Sequence, residues 1–252
     1  MSRELVAGQS GWGKSWLTQQ RIEDNLSEFD AVVVLDYKDE YRGLAKGDMA
    51  KWAGIGRQEA NLSVDGWIDL LQNNGAIVAA RAVPADMWRE DVASTVALAA
   101  QKYDGEVLVV IDEAHFVARM RKSTPKPVEE LATTGRGQGV ATIWVTQKIA
   151  KLDPTVSSQC DRQLLGGFID PNDISRVDDI VGYNAQVHNP RATSPISGLP
   201  DALGTDPLAE TDPGSEWIYS TRSGEYRRID SSTLSMKSTH YGFEGSSLSI
   251  PG

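Results

Sequence analysis

Gly8-Gln-Ser-Gly-Trp-Gly13-Lys14-Ser15 is the stretch on which the reading of this chain turns. It fits the pattern G-x4-G-K-[ST]. Glycines there let the backbone turn tightly, so that successive N–H groups converge on the β- and γ-phosphates of a nucleotide. A short apolar run over residues 3–7 leads into it, and residues 14–26 read as a helix whose positive N-terminal end faces the same anion. Gly8, Gln9, Ser10, Gly11, Trp12, Gly13, Lys14, Ser15 and Trp16 are therefore the candidate nucleotide-binding segment, with ATP as the expected ligand. Lys14 supplies a charge for the β/γ-phosphates and Ser15 a hydroxyl for Mg²⁺. Trp12, at the loop tip, reads first as a packing residue, with stacking on a base or a neighbouring subunit as the alternative.

Such a cradle needs a carboxylate at the end of a buried strand. Val107-Leu-Val-Val-Ile111-Asp112-Glu113 supplies two: Asp112 for the metal's water shell and Glu113 to polarise the attacking water. Ala114-His115 completes a DEAH string that reads as coincidence, with His115 a packing or supporting residue rather than a base. Ala141-Thr-Ile-Trp-Val-Thr146-Gln147 is a second strand ending in polar residues, and Gln147 can reach the water or the γ-phosphate. Gly135-Arg136-Gly137-Gln138-Gly139 holds Arg136 on an exposed turn, where it can stabilise charge on a neighbour's transferring phosphoryl group. A solvated turn residue is the plainer reading of Arg136, and Arg81 and Arg162 are weaker alternatives.

Outward from these motifs, strand and helix patterns alternate. Continuous apolar runs at 31–35, 76–80, 107–111 and 141–145, with a weaker one at 163–168, read as strands. Residues 87–102, 128–134 and 173–181 read as helices. The expected class is α/β: a mainly parallel sheet flanked by helices, with right-handed crossovers. The pattern changes after about Gly182, which divides the chain into a motor domain over 1–182 and an irregular extension over 183–252. Within the extension, 189–214 reads as a long loop, 216–219 and 225–229 as a hairpin about Ser223-Gly224, and 231–252 as a tail that is mobile or docks on a neighbour.

The chain has 252 residues, 40% hydrophobic and 24% charged, which suits a folded domain rather than disorder. Its single cysteine, Cys160, excludes an intrachain disulfide and a cysteine-based zinc site. No run of about 18 apolar residues is present to span a bilayer. The opening residues do not read as a signal peptide, so a cytoplasmic location, here that of a host, is expected. The formal net charge is −10, which excludes a generic basic coat for nucleic acid, so any DNA contact must be local. The surplus of Arg over Lys and Asp over Glu fits a salt-rich cytoplasm as well as ordinary solubility.

Together these residues resemble the HerA–FtsK superfamily of ring-forming, DNA-pumping P-loop ATPases, over residues 5 to about 181. The P-loop alone is not specific; the ensemble is. It comprises Leu35-Asp36-Tyr-Lys-Asp-Glu40-Tyr41, Ile111-Asp112-Glu113-Ala-His115, Gly135-Arg136-Gly137, Thr146-Gln147-Lys148, Lys151-Leu-Asp-Pro154-Thr-Val156 and Gln159-Cys-Asp161. The resemblance implies a RecA/ASCE-like fold, a homo-hexameric ring, Arg136 acting in trans, Gln147 as sensor, and Asp36 and Glu40 shaping the site from its flank. By themselves Asp36 and Glu40 read as turn residues. With the P-loop beginning at Gly8, no added domain is expected ahead of the motor. So small a motor looks most like the genome-packaging ATPases of membrane-containing icosahedral viruses and their relatives infecting archaea, and the Asp/Arg bias points to a haloarchaeal virus or provirus.

The expected partner is double-stranded DNA, with a capsid vertex or a virion membrane protein as a further docking partner. Arg119, Arg121, Lys122 and Lys126, in a basic loop-like stretch just after Asp112-Glu113, are the candidate DNA contacts. Six copies around a pore would give a salt-dependent grip without sequence preference; a solvated charge run is the alternative. Lys148 and Lys151 are second candidates. The expected function is loading a viral genome into a preformed capsid. Plasmid or provirus DNA mobilisation and a non-translocating assembly ATPase are the alternatives.

Overall fold

Three apolar segments, Ala31–Asp36, Val107–Ile111 and Val140–Thr146, are buried along their whole length. Strands buried on both faces belong inside a parallel sheet covered by helices. In the computed structural model, which describes residues 1–192, 203, 214–242 and 244, they lie together near the sheet's centre. The strands are β1 Arg3–Ala7, β2 Ala31–Asp36, β3 Lys51–Ile55, β4 Ala76–Arg81, β5 Val107–Ile111, β6 Val140–Thr146, β7 Arg162–Leu165, β8 Glu216–Thr221 and β9 Tyr226–Asp230. Their spatial order is β3-β4-β2-β5-β6-β1-β7-β8-β9. The first seven in sequence run parallel, and β8 and β9 add antiparallel at one edge.

The helices are α1 Lys14–Asn25, α2 Arg42–Lys46, α3 Val64–Asn74, α4 Ala85–Met87, α5 Ser94–Lys102, α6 Lys126–Thr133, α7 Pro154–Gln159 and α8 Pro171–Asp178. A π-helical segment, Trp88–Ala93, joins α4 to α5, so the helix expected over 87–102 is one continuous rod with a widened turn. Strand residues alternate between two cores. Leu5, Val33, Leu35, Val109 and Ile111 pack with Trp67 of α3, Val96 of α5 and Leu131 of α6. Val6, Val32, Val34, Val110 and Ile143 face the other way, against Leu17 and Ile22 of α1 and Leu44 of α2.

The sequence reading leaves residues 42–75 unassigned, and the structure puts β3, α2 and α3 there. Lys51-Trp-Ala-Gly-Ile shows neither alternation nor a continuous apolar run because β3 is a sheet-edge strand, mostly half-buried. The ends of α3 do carry a local signal. Ser63 caps it by accepting from the Gly66 amide at 3.1 Å, and Gly75 ends it at φ 68°.

The expected hairpin is present as β8 and β9, and β8 pairs with β7, so the sheet continues past residue 182. Arg228 is bound to Glu216 across the hairpin, and Arg227 lies 5.3 Å over the Tyr219 ring. A charged terminal strand of this kind resists pairing with another sheet.

The tail differs from expectation in its described part. Within its own chain it does not hang free: residues 236–240 run back over α1 and α2. Lys237 and Ser238 donate backbone N–H groups to the buried Glu23 carboxylate of α1, at 2.5 and 3.1 Å. The strap passes so close to α2 that a Cβ at Gly43 would lie 2.1 Å from the Thr239 carbonyl oxygen. Leu234 at the start of this strap packs half-buried against the second core, an apolar contact that favours the docking. Most of the loop expected over 189–214, and the tail beyond residue 244, lie outside the described residues. No helix among the described residues is long and apolar enough to cross a membrane.

Candidate active site

The P-loop leaves β1 at Gly8 and enters α1 at Lys14. Gly11 and Gly13 both stand at φ 77°. A Cβ at Gly11 would meet nothing within 4 Å, so glycine is required there by backbone conformation rather than by space. The loop is hooked to the strands on either side of β1. Gly8 N–H donates to Thr146 O of β6 at 3.3 Å, and Gln9 N–H to Gly167 O beyond β7 at 2.8 Å. The Lys14 ammonium donates to Gln9 O at 2.9 Å, folding back across the loop. Burial pushes its pKa down, opposed by the negative charge of Glu113.

Trp12 turns inward. Its side chain is buried, and its indole N–H donates to Glu216 O of β8 at 3.0 Å. The ring lies over Gly166 and Gly167, where a Cβ would come within 2.2 and 2.3 Å of it. It is thus a packing residue that ties the loop to the hairpin, and base stacking by Trp12 is excluded in this arrangement. Gly167→Ala should lower stability by about 1–3 kcal/mol through overpacking, read as a fall in thermal midpoint. Adding Trp12→Leu should restore part of the loss. An unshifted midpoint in the single variant would show that the ring does not occupy this groove.

Asp112 and Glu113 follow β5 at the same sheet edge, the C-terminal one, at which the P-loop leaves β1. β6 lies between β5 and β1, pairing Trp144 with Ile111 on one side and with Leu5 on the other. Thr146 therefore ends beside the start of the P-loop, with Gln147 next in the chain. Glu113 stands in the left-handed region, at φ 46°. That conformation costs roughly 1 kcal/mol in a non-glycine residue and commonly marks a functional turn. Its side chain is 2% exposed; Oε1 pairs with the Lys38 ammonium, while the buried Oε2 makes no hydrogen bond and lies 3.3 Å from His115 Nδ1. Lys38 is the residue sequence reasoning passed over. It sits inside the quoted Asp36–Tyr41 stretch, but only the packing of the turn after β2 against β5 brings it to Glu113.

Four carboxylates converge here. Burial, and then the charges of Glu113, Asp36 and Glu40, hold the Asp112 carboxyl well above the usual range. Burial likewise pushes Asp36 up to about 7, although it accepts the Glu40 and Tyr41 backbone N–H groups, each at 3.0 Å. Asp36 thus shapes the turn that carries Lys38 and Glu40. Asp112 Oδ2 is buried and unpartnered. An orphaned carboxylate oxygen among surplus negative charge suits a hard divalent cation such as Mg²⁺, which takes one or two protein oxygens and completes its shell with water and phosphate. Ser15 Oγ and Asp112 are the residues that would hold it.

His115 is buried, with Nδ1 2.9 Å from Thr146 Oγ1, and burial lowers its pKa to about 4. A neutral, buried ring fits the supporting role expected for it. Its neighbour Phe116 stacks on Tyr37 at 4.4 Å, and the Arg81 guanidinium covers the other side of Tyr37 at 4.1 Å. Arg81 also donates to Val83 O and is committed to this stack.

Arg136 lies at the opposite edge of the sheet, on the 3₁₀ turn Gly135–Gln138 before β6 begins. Its side chain is 58% exposed and only 3.8 Å from Asp161. Arg162, the other alternative, opens β7 at that same remote edge. The basic stretch after β5 is more tied down than expected. Arg119 and Lys122 lie 3.8 and 3.5 Å from Asp86, residue 119 bridges to Leu152, and Lys126 begins α6 and faces Glu130. Lys148 is paired with Asp170 and Asp173.

No protein-family model matches the chain, and no curated protein does. Solved structures do. The genome packaging NTPase B204 from Sulfolobus turreted icosahedral virus 2, in complex with ATP-γS, superposes with a TM-score of 0.61 at 16% identity, covering 90% of this chain and 95% of that one. B204, the DNA-packaging ATPase from Sulfolobus turreted icosahedral virus, gives 0.60 at 15% identity, covering 90% and 96%. VirB4 of Thermoanaerobacter pseudethanolicus gives 0.59 at 12% identity, covering 95% and 90%. At these identities the likeness is one of fold: the chain has the α/β fold of these P-loop ATPases, as the motifs led us to expect.

Proposed function

We propose that this chain is an Mg²⁺-dependent ATPase that moves double-stranded DNA as a homo-hexameric ring, and that its task is packaging a viral genome into a capsid. The observation that carries the ATPase reading is the convergence of the P-loop, Asp112, Glu113 and Gln147 at one edge of the sheet, with β6 between the two motif-bearing strands. The fold shared with B204, whose function is genome packaging, supports the choice of DNA as the polymer moved.

In this reading the backbone N–H groups of residues 9–15 and the N-terminus of α1 seat the triphosphate, and Lys14 swings from Gln9 O to the β/γ-phosphates. Bound Mg²⁺ would neutralise charge developing on the phosphate oxygens. Glu113, held by Lys38 through Oε1, accepts the water's proton on Oε2. Gln147 orients that water and senses the γ-phosphate. Arg136 enters from the neighbouring subunit to stabilise charge on the transferring phosphoryl group. The loop carrying Arg119, Arg121 and Lys122, with Lys126, follows the Asp112 strand directly, so the nucleotide state can be felt at the DNA.

Steady-state hydrolysis with and without linear double-stranded DNA, across a KCl series up to molar salt, tests this. Several-fold stimulation by DNA that weakens as salt screens phosphate contacts is expected. Turnover indifferent to DNA at every salt would overturn the translocase reading in favour of an assembly ATPase. Absence of any turnover would overturn the enzyme itself.

A further inference from the structure

The strap reaches the P-loop. His240 Nε2 lies 3.3 Å from Ser15 Oγ, the hydroxyl assigned to the metal, and Nδ1 lies 2.9 Å from Gln19 Oε1 on the next turn of α1. Gln19 Nε2 donates to Ser238 Oγ at 2.7 Å and approaches Thr239 O at 3.4 Å. The Ser238 hydroxyl in turn donates to Glu23 Oε1.

The donor and acceptor inventory gives this chain of contacts one direction. Glu23 already accepts two backbone N–H groups from the strap, and as a carboxylate it can only accept. The Ser238 hydroxyl must therefore spend its hydrogen on Glu23 and accept from the Gln19 amide nitrogen. That fixes Gln19 with Oε1 towards His240, which must present N–H at Nδ1. In a neutral imidazole Nε2 is then the acceptor, and among the described residues the hydrogen that faces it is that of the Ser15 hydroxyl, 3.3 Å away. The Ser15 lone pairs are left facing away from His240, free for a cation. A serine hydroxyl can ligate a metal only with its hydrogen turned away, and a free rotor would have to find that orientation on binding.

We infer that His240 is a positioning residue for the metal: the strap delivers a fixed acceptor that holds the Ser15 hydroxyl hydrogen and so pre-orients its oxygen towards Mg²⁺. The inference rests on the Mg²⁺-ATP reading of this site. It makes the far C-terminal strap part of the nucleotide site. Supporting groups that orient metal ligands typically contribute about 10–100-fold in metal affinity.

The test is the affinity of the full chain for a fluorescent, non-hydrolysable ATP analogue, measured by anisotropy in EDTA and across a Mg²⁺ series. In the unaltered protein Mg²⁺ should tighten binding. His240→Phe keeps the ring and removes both nitrogens; it should cut that tightening about tenfold while leaving the affinity in EDTA unchanged. Gln19→Leu, which frees the tautomer, should shift the Mg²⁺ dependence in the same direction. A wild-type Mg²⁺ dependence in His240→Phe would overturn the inference. So would an equal loss with and without Mg²⁺, since that marks a packing role. No Mg²⁺ effect in the unaltered protein would instead sink the metal reading of the site, and the inference with it.

Discussion

Under the proposed ring mechanism, Arg136→Ala should reduce turnover by about 10³–10⁵-fold, the usual contribution of an arginine finger, while each subunit still binds nucleotide. The reason is placement. Arg136 precedes β6, whereas the P-loop follows β1, and β1 and β6 run parallel in register. A strand of seven residues spans roughly 20 Å, so the guanidinium and its own chain's phosphate cradle lie at opposite edges of the sheet. A role in cis is therefore excluded. The exposed side chain, whose ion-pair partner among the described residues is Asp161 at 3.8 Å, is free to leave for a neighbour. The decisive experiment mixes Arg136→Ala subunits with Lys14→Ala subunits, each inactive alone. Where an intact P-loop meets an intact Arg136 across an interface, a complete site is rebuilt, and activity should return in proportion to those interfaces. If no mixture recovers activity while rings are shown to be intact, Arg136 is not the trans group.

Glu113→Gln should lower turnover by about 10²–10⁴-fold, the range of a lost general base, with nucleotide affinity within a few-fold of the original. The substitution keeps shape and removes basicity. Its effect should fall on turnover because Oε1 is committed to Lys38, while Oε2, 3.3 Å from His115 Nδ1, makes no hydrogen bond and is the oxygen left to take a proton. Single-turnover hydrolysis beside equilibrium nucleotide binding separates the two quantities. Ordinary turnover in this variant would remove Glu113 from the chemistry. A collapse of binding would instead assign it to holding the site together against the Lys38 charge.

Much of this is legible in the sequence alone, for a definite reason. The P-loop is a local device: its glycines, Lys14 and Ser15 do their work within eight consecutive residues. β2, β5 and β6 announce themselves because a strand buried on both faces must be apolar throughout. Where such a strand ends in Asp112-Glu113 or Thr146-Gln147, its chemistry is readable at the strand's end. β3 was not legible, because a half-exposed edge strand need satisfy no strict pattern. The inward turn of Trp12 was legible only as the plainer of two options, since the glycines it covers lie more than 150 residues away.

Periodicity and short-range backbone chemistry thus write the α/β class, the glycine-rich loop between β1 and α1, and the polar ends of β5 and β6 into a few residues each. Only the tertiary structure decided that Lys38 holds Glu113, that Arg136 stands at the far edge of its own sheet, and that the strap brings His240 to Ser15. Those juxtapositions follow from strand order and from the packing of the strap against the second core. No local spacing records either.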